Sequence, residues 1–255
     1  MIILNLKRVS LPKSFLTRPV AHRGLHSASV CENSLTAFRL AAEKNYGIEL
    51  DIHLTKDGKL AVVHDSDLFR VTGKEGIIEH LSSEELKDYT LLPDREPVPL
   101  LDDVLALIQG RVPILIELKF DDGFDHHQAD ALLKLLASYP HKDMIALQSF
   151  HPLAVNHLKR HTNTYSVGYL SSFKLKNLSI PALYLLKSLK LYRLIHADFI
   201  SYDINYLPNK YAGRLQKKGE TVLAWTIDSK EKLERAKTAA DNIIFESIVP
   251  EENST

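Results

Sequence analysis

Short apolar runs rich in β-branched residues alternate along this chain with longer segments in which apolar residues recur every three or four positions. The short runs have the length and composition of buried strands, and the longer segments have the periodicity of helices that cover an apolar surface. Eight strands are predicted, over residues 19–22, 47–54, 113–118, 144–148, 164–168, 199–202, 221–226 and 242–245. Six helices are predicted between them, over residues 34–45, 101–109, 125–139, 152–161, 207–217 and 229–239.

This alternation predicts a parallel sheet, because neighbouring parallel strands need a crossover connection, usually a helix, between them. Eight such units in about 250 residues are typical of a (β/α)₈ TIM barrel. We expect this α/β fold as a single domain over residues 1–255, with its core over residues 18–250. A doubly wound open sheet is the alternative, but no glycine-rich dinucleotide motif follows the first strand.

Two stretches depart from an ideal barrel. The segment from residue 56 to about residue 100 is too long for one connection between a strand and its helix, and it holds a strand-like run over residues 59–64. We interpret it as a small insertion after the second strand at the carboxyl-terminal rim, where insertions carry function in this fold. Only ten residues follow the last strand, so the eighth helix is expected to be short or missing.

The composition narrows the class of protein. The chain has 32 lysines and arginines against 32 aspartates and glutamates, so it lacks the excess of cations that nucleic-acid binding needs, and we expect no nucleic-acid partner. The single cysteine, Cys31, leaves no internal disulfide. The first 19 residues lack the apolar stretch of a signal peptide, and nowhere do 18 apolar residues run together. These features predict a cytoplasmic protein.

The charge is unevenly distributed along the chain. Residues 173–196 carry five cations, no acid and many apolar side chains, a composition suited to a helix that lies on an anionic membrane surface. The other interpretation, which we favour, is a barrel helix whose apolar face packs on the sheet and whose basic face is solvated. At most a weak membrane-surface contact through this segment is predicted, and the sequence leaves the oligomeric state open.

Three carboxylates interrupt two of the predicted apolar strands. Glu49 and Asp51 alternate with isoleucine and leucine, so both acids point to one face. Glu117 lies in the next barrel strand, with Lys119 two positions later and facing the same way. Like charges on an interior strand repel and lose hydration unless a cation lies between them. Because oxygen ligands suit Mg²⁺ or Ca²⁺, we predict one divalent ion on these three acids in preference to salt bridges alone.

Two histidines come at the ends of strand-like runs: His22 after the first strand, and His64 in the insertion. A lone histidine there is commonly a structural hydrogen-bonding residue, but two beside a carboxylate cluster can act as base and acid near neutral pH. Arg23 and Lys119 suit phosphate oxygens, with neutralisation of neighbouring acids as their alternative role. The metal, cations and imidazoles together indicate phosphoryl chemistry.

A series of short motifs runs in order through the chain. They are AHRG from residue 21, CENSLTAF from 31, GIELDIHLTKDGKLAVVHD from 47, L-x-R-V-T-G from 68, ELK from 117, SF from 149 and WTID from 225. With these spacings, the chain resembles the glycerophosphodiester phosphodiesterase family over nearly its whole length. The resemblance implies a TIM-barrel enzyme that hydrolyses small-molecule glycerophosphodiesters, such as glycerophosphocholine or glycerophosphoethanolamine, to sn-glycerol 3-phosphate and an alcohol.

The resemblance also implies roles for individual residues. His22 corresponds to a base or nucleophile and His64 to an acid, although the sequence leaves that polarity, and the formation of a cyclic phosphate, open. The further implied roles are divalent-metal ligands at Glu49, Asp51 and Glu117, phosphate contacts at Arg23 and Lys119, a pocket-lining aromatic at Trp225, and supporting residues at Glu32, Asn33 and Asp65.

Three features differ from the family pattern. Cys31 replaces a proline in a loop, where it could expose its thiol, residues 243–247 read IIFES in place of a threonine and an aspartate, and the eighth helix is short or absent. We expect none of the three to touch the chemical groups. A lysophospholipase D or sphingomyelinase D-like lipid phosphodiesterase is the alternative activity. A non-catalytic ligand-binding barrel is the weaker alternative, because no metal carboxylate or catalytic histidine is lost.

Overall fold

The computed structural model describes residues 6–120, 123–172 and 190–250. Its strands are β1 (Val20–Ala21), β2 (Gly47–Leu54), β3 (Leu60–Val62), β4 (Ile114–Leu118), β5 (Ile145–Ser149), β6 (Ser166–Ser171), β7 (Phe199–Asp203), β8 (Thr221–Ile227) and β9 (Asn242–Phe245). All except β3 run parallel, and they close into a barrel because β1 pairs with both β2 and β9. β3 pairs antiparallel with β2. The predicted (β/α)₈ TIM barrel is confirmed.

The α-helices of the described ranges lie mostly between successive barrel strands. They are α1 (Ser14–Thr17), α2 (Leu35–Glu43), α3 (Phe69–Thr72), α4 (Ser83–Leu86), α5 (Leu101–Ile108), α6 (His126–Ala137), α7 (Pro152–His161), α8 (Lys190–Leu194), α9 (Lys210–Gln216) and α10 (Lys230–Ala239). In α5, for example, the buried residues Leu101, Val104, Leu105 and Ile108 recur at helical spacing and join the apolar layer between helices and sheet. No described helix is both long and apolar enough to cross a membrane.

Several element boundaries differ from the prediction for local reasons. The helix predicted from residue 207 begins at Lys210, because Pro208 disfavours helical backbone at residue 207 and the Asn209 side chain accepts hydrogen bonds from the amides of the first turn. Residues 246–250 contain no helix, in agreement with a short or missing eighth helix. The segment 173–189, most of the predicted basic helix, lies outside the described residues, and α8 forms directly after it.

The barrel interior changes from apolar to polar toward the carboxyl ends of the strands. Its lower layer is apolar and includes Leu11 and Phe15 from the segment before β1. The strand residues of this layer are Val20, Leu115, Ala146, Phe199, Leu223 and Ile244. Gly168 makes room for Phe199, since a Cβ at Gly168 would lie 2.2 Å from that ring. Two residues farther along β5 and β7, Ser201 Oγ donates to Gln148 Oε1 at 2.8 Å. Polar chemistry is therefore concentrated at the carboxyl-terminal end.

The predicted insertion after β2 carries β3, α3 and α4 and has an apolar core of its own. That core includes Ala61, Val63, Leu68, Val71 and Ile78. The amide of Val62 donates to the Pro99 carbonyl at 2.8 Å, so the two ends of the insertion are joined before the chain continues into α5. The insertion thus forms a small folded unit on the carboxyl-terminal rim of the barrel.

Candidate active site

Three buried carboxylates meet inside the carboxyl-terminal end of the barrel. Asp51 of β2 and Glu117 of β4 are register partners on adjacent parallel strands, and Glu49 is two residues earlier on the same face of β2. All three side chains are buried. Each contributes an oxygen, and these oxygens lie within 4.8 Å of one another. The carboxylates predicted from strand alternation therefore form one cluster.

Burial and mutual repulsion give the three acids different proton affinities. Burial and then the neighbouring Asp51 raise the pKa of Glu49 to about 8. Burial also raises the pKa of Glu117. Burial alone would raise the pKa of Asp51 too, but the charges of Lys119 and Arg23 outweigh it and hold that pKa below its usual range. The cluster therefore combines one firmly ionised acid with two whose ionised forms are disfavoured.

This donor set fits a hard divalent cation. It offers only carboxylate oxygens, the ligands that Mg²⁺ and Ca²⁺ prefer, and a cation between them would relieve the repulsion that raises the pKa of Glu49. Asp51 Oδ1 is buried and has no hydrogen-bond partner among the described residues. Glu49, Asp51 and Glu117 could therefore hold one metal ion, and the ligand chemistry is the same for either element.

Arg23 enters the cluster from the loop after β1. Its backbone amide donates to Glu49 Oε2 at 3.1 Å, and its Nη1 donates to Glu32 Oε1 at 2.8 Å. The guanidinium Nε lies 3.4 Å from Asp51 Oδ2. Arg23 has a φ of 56°, in the left-handed region, which turns the chain sharply after β1. The side chain is therefore held in the site by acids on both sides.

Lys119 follows the end of β4 and faces the same cluster, as its spacing from Glu117 predicted. Its Nζ lies 2.8 Å from Glu117 Oε1 and 3.3 Å from Asp51 Oδ1. Both predicted phosphate-binding cations thus lie in the site, and both are ion-paired with its acids. Their contact with phosphate stays a prediction.

His22 is held between two carboxylates. Its Nδ1 lies 2.5 Å from Glu246 Oε2, and its Nε2 lies 3.9 Å from Glu49 Oε2. Burial lowers the pKa of His22, but the hydrogen bond with Glu246 and the charge of Glu49 outweigh burial, so the pKa lies above its usual value. The same hydrogen bond lowers the pKa of Glu246 to about 2.

This contact corrects one prediction. We expected none of the departures from the family pattern to touch the chemical groups, but Glu246 belongs to the IIFES segment and contacts His22 directly. The contact arises because β9 closes the barrel against β1, and the His22 amide donates to the Phe245 carbonyl at 2.9 Å. The first residue after β9 therefore reaches the imidazole.

His64 has a similar arrangement and lines the same cavity as Glu117 and Lys119. Its Nδ1 lies 2.6 Å from Asp65 Oδ1, and its carbonyl oxygen lies 3.1 Å from His53 Nε2. Burial lowers the pKa of His64, and the positive charges of Lys119 and Arg23 lower it further. Both predicted histidines thus have a carboxylate at Nδ1.

The predicted supporting residues connect the barrel to the insertion. Asn33, with a φ of 56°, donates from Nδ2 to Asp51 Oδ2 at 3.0 Å. Glu32 accepts hydrogen bonds from Arg23 and also from Arg70 of α3, which pairs in addition with Asp65. Arg70 therefore ties together the loop before α2 and the loop that carries His64.

Cys31 precedes this loop, and its thiol is buried, which excludes the exposed thiol that the sequence had left possible. The residue is 6% exposed and packs against the apolar core of the insertion. Burial raises the pKa of the thiol to about 12, which keeps it protonated and unreactive at neutral pH.

A cavity of about 280 Å³ adjoins the cluster on the side of β4 and β5. His64, Asp65, Glu117 and Lys119 line one part of it. The other part is lined mainly by apolar and aromatic groups, among them Phe120, Phe150, His151 and Pro152. Trp225 of β8 meets Phe150 edge to face, with ring centroids 5.3 Å apart. We refer to this space as the aromatic cavity.

All eleven residues predicted for the site lie at the carboxyl-terminal end of the barrel. Ten of them belong to one network of hydrogen bonds and ion pairs, in which Arg70 also takes part. The eleventh, Trp225, contacts Phe150 of the cavity wall. Sequence reasoning did not assign Glu246, Arg70 or His53. For Arg70 the motif L-x-R-V-T-G was a usable signal, and for Glu246 the signal was its place directly after the last strand.

Comparison with known proteins agrees with this geometry. The family model described as the glycerophosphoryl diester phosphodiesterase family matches residues 22–247. The chain belongs to this family. The predicted family and the predicted enzyme class, phosphoric diester hydrolase, are therefore confirmed.

Individual relatives match this phosphodiesterase over most of its length. It is 30% identical over 238 residues to a glycerophosphodiester phosphodiesterase of Caldanaerobacter subterraneus subsp. tengcongensis, covering 89% of this chain and 93% of the relative. Its fold is similar to that of the glycerophosphodiester phosphodiesterase from Thermotoga maritima, with a TM-score of 0.71, 26% identity, and 89% of this chain and 94% of that chain covered. An Oleispira antarctica phosphodiesterase, solved in complex with the product sn-glycerol-3-phosphate, has a TM-score of 0.79 at 23% identity, covering 91% of this chain and 94% of that chain.

Proposed function

We propose that this phosphodiesterase hydrolyses glycerophosphodiesters to sn-glycerol 3-phosphate and an alcohol, with one divalent ion on Glu49, Asp51 and Glu117. One observation carries the proposal: two imidazoles, each with a carboxylate at Nδ1, lie beside a buried cluster of carboxylate oxygens. Product binding in the Oleispira antarctica structure supports the same product here. The ion is Mg²⁺ or Ca²⁺, since both accept this ligand set.

Phosphate binding is the first task that the geometry supports. A divalent ion, when bound, supplies charge neutralisation for a phosphate oxygen. Arg23 and Lys119 are partly buried at the rim of the same cluster and can donate to the remaining oxygens. Because their charges are already oriented by Asp51, they lose little side-chain freedom when the diester binds.

Proton transfer is the second task. With Nδ1 turned to Glu246 or Asp65, each imidazole is left with Nε2 for the reacting oxygens. One Nε2 takes the proton of the attacking oxygen, which is water or the glycerol 2-hydroxyl, and the other protonates the leaving alkoxide. If the 2-hydroxyl attacks, water then opens the cyclic phosphate by breaking its bond to that oxygen, which gives sn-glycerol 3-phosphate. The family polarity has His22 as base and His64 as acid. The protein's own groups raise the pKa of His22 and lower that of His64, opposite to this polarity, and a cation held beside Glu49 would act against the shift at His22.

Glu246 is proposed as a positioning residue for His22. Its carboxylate holds the tautomer that carries a proton on Nδ1, as the carboxylate of a catalytic triad does. Replacing Glu246 with Gln keeps the shape but weakens this preference, so kcat should fall by about 10-fold to 100-fold with a smaller change in KM. Glu246→Asp should retain more activity than Glu246→Gln. A purely structural role predicts the reverse order or equal losses, together with lowered stability.

A product-release assay tests the activity. Purified protein is given glycerophosphocholine, glycerophosphoethanolamine, glycerophosphoglycerol and lysophosphatidylcholine, and sn-glycerol 3-phosphate is measured after EDTA treatment and after Mg²⁺ or Ca²⁺ is added back. His22→Ala and His64→Ala should each lower kcat by about 10²-fold to 10⁴-fold. His161→Ala is the control, because this exposed imidazole lies at the far end of α7. Full turnover by either active-site variant would exclude the assigned role.

The same panel distinguishes the alternative activities. Release of choline from lysophosphatidylcholine, without activity on the glycerophosphodiesters, would favour the lipid phosphodiesterase. Absence of turnover with every substrate and metal would favour a non-catalytic barrel. Co-sedimentation with anionic liposomes at low and moderate salt tests the weak membrane contact predicted for residues 173–196, and no binding at either salt concentration would remove it.

A further inference from the structure

The aromatic cavity has a composition that the proposed chemistry at the phosphate does not require. It begins at Glu117 and Lys119, so a group that leaves the phosphorus on this side enters it directly. Its outer wall is formed by Phe120 and by residues 150–152 after β5. Phe120 meets His151 edge to face, with ring centroids 5.7 Å apart, so the two rings support each other. The wall is therefore a supported aromatic surface beside the reacting centre.

The charged groups in the described walls of this cavity already have partners. Asp65 is paired with His64 and Arg70, and Glu117 is paired with Lys119. The Ser149 hydroxyl donates to the Leu118 carbonyl at 2.8 Å. Burial lowers the pKa of His151 and so favours its neutral ring, whose Nδ1 has no hydrogen-bond partner among the described residues. Within the described residues, the wall thus offers neither a free cation for an anionic headgroup nor a free carboxylate for a primary ammonium.

Among the described residues, the single ring nitrogen His151 Nδ1 is the buried side-chain acceptor of this wall that lacks a partner, and an aromatic wall with so few acceptors discriminates between the common amino alcohols. The trimethylammonium group of choline is a bulky, weakly hydrated cation, and aromatic faces bind such groups. The ammonium of ethanolamine is strongly hydrated and needs several acceptors to replace its water. Lys119 opposes a cation only weakly here, because its Nζ is ion-paired with Glu117 at 2.8 Å and with Asp51 at 3.3 Å.

We propose that the aromatic cavity is the leaving-alcohol subsite of this enzyme and that it selects a quaternary ammonium alcohol over a primary ammonium alcohol. Phe120 is the residue that decides the preference, since it forms the outer wall and makes no hydrogen bond or ion pair to the catalytic cluster. This inference rests on the proposed hydrolysis of glycerophosphodiesters and adds the alcohol class to it.

Competing substrates test the selectivity. The measured quantity is the ratio of kcat/KM for glycerophosphocholine to kcat/KM for glycerophosphoethanolamine. We expect a ratio of about 10 in the wild type, the scale of a desolvated cation–π contact. Phe120→Leu keeps the apolar volume without the π face and should bring the ratio to within about threefold of unity. Phe69→Ala is the control, since Phe69 is an exposed phenylalanine of α3 outside the cavity wall and should leave the ratio unchanged.

A binding measurement keeps the test independent of turnover. Tetramethylammonium should inhibit the wild type competitively and perturb its aromatic NMR signals, whereas ammonium at the same concentration should not. Phe120→Leu should weaken tetramethylammonium binding by about tenfold. If Phe120→Leu fails to fold, Phe150→Leu replaces it, because Phe150 lines the same wall.

The outcomes separate this inference from the proposed function. Equal kcat/KM for the two substrates, or a preference for glycerophosphoethanolamine, would overturn the selectivity while leaving hydrolysis in place. Hydrolysis of no glycerophosphodiester would overturn the proposed function, and tetramethylammonium binding would then still decide whether the cavity recognises quaternary ammonium. Binding of tetramethylammonium that persists unchanged in both Phe120→Leu and Phe150→Leu would place the recognition elsewhere.

Discussion

The two ends of the barrel both bury charged side chains, but only the amino-terminal end completes their interactions. There, Lys159 Nζ lies 2.8 Å from each carboxylate oxygen of Asp198 and donates to the Lys7 carbonyl at 3.1 Å. Asp198 also accepts hydrogen bonds from the amides of Val9 and Val167. Every donor of the ammonium and both oxygens of the carboxylate are therefore used.

The carboxyl-terminal end leaves its buried charges incomplete. Arg23 and Lys119 face three carboxylates, and Arg23 is shared with Glu32 as well. Asp51 Oδ1 accepts no hydrogen bond within the described residues, although the Lys119 ammonium lies 3.3 Å away, and the pKa of Glu49 is raised to about 8. The chain itself thus cannot stabilise all of these acids in their ionised form.

The difference separates a structural ion pair from a binding site. Removing one partner of a buried ion pair whose hydrogen bonds are all formed strongly destabilises the protein, because the other charge remains buried and uncompensated. A buried cluster with excess negative charge costs stability until a cation binds. Burial and charge alone do not distinguish the two ends, whereas the completeness of the hydrogen bonds does.

The largest effect on stability is expected at the amino-terminal end. Lys159→Met leaves Asp198 buried without its cation and should lower the free energy of unfolding by about 3–5 kcal/mol, measured by urea denaturation. The folded fraction should keep kcat/KM within about threefold, because the pair lies at the opposite end from the active site. Lys134→Met, at an exposed position of α6, is the control and should change stability by less than about 0.5 kcal/mol. A Lys159→Met protein as stable as the wild type would contradict the structural role assigned to this ion pair.

The opposite result is expected at the carboxyl-terminal end. Glu49→Gln resembles the neutral form of Glu49 and removes repulsion with Asp51, so in EDTA at pH 7 it should raise the free energy of unfolding by roughly 1–3 kcal/mol. The same change removes a metal ligand and should lower kcat by about 10²-fold or more. If Glu49→Gln destabilised the protein as much as Lys159→Met, the cluster would be a structural ion pair.

The pH dependence of stability should also show that the protein does not fully compensate the charge of Glu49. The pKa of Glu49 rises from 4.5 to about 8 on folding, so the folded state holds the proton that the unfolded state releases between these values. In EDTA, wild-type stability should therefore fall relative to Glu49→Gln by roughly 1–3 kcal/mol as pH rises from 4.5 to 8. Adding Mg²⁺ or Ca²⁺ should reduce this difference, because the bound cation favours the ionised acid. Parallel curves for the two proteins in EDTA would contradict the assigned repulsion.

The smallest effect is expected at the exposed ion pairs of the carboxyl-terminal rim. The Arg70 side chain is 48% exposed, so Arg70→Met should lower stability by about 1 kcal/mol or less although it pairs with both Glu32 and Asp65. Arg39→Met is a matched control, since Arg39 is 46% exposed and pairs with Glu43. A loss in kcat for Arg70→Met alone would indicate that Arg70 also orients the loop of His64.

The parts of the fold and site that could be predicted were those encoded in short stretches of chain. Strand alternation was enough to place Glu49 and Asp51 on one face, and parallel pairing of neighbouring strands was enough to bring Glu117 beside them. The start of the helix predicted from residue 207 was placed too early in the sequence. Pro208 and the Asn209 cap set this start within a single turn, whereas hydrophobic periodicity becomes visible only over several turns. The hydropathy pattern therefore predicts elements better than their ends.

The sequence by itself determined the barrel, the family and most of the chemical groups, because each depends on residue types at fixed local spacing. Only the tertiary structure decided which carboxylate holds His22, since barrel closure brings Glu246 to it across 224 positions of sequence. It also decided that the buried charged groups of Lys159 and Asp198 form all of their hydrogen bonds, whereas those of the carboxylate cluster do not. Completeness depends on hydrogen bonds from distant segments such as the amide of Val9, and no local pattern of residues encodes those contacts.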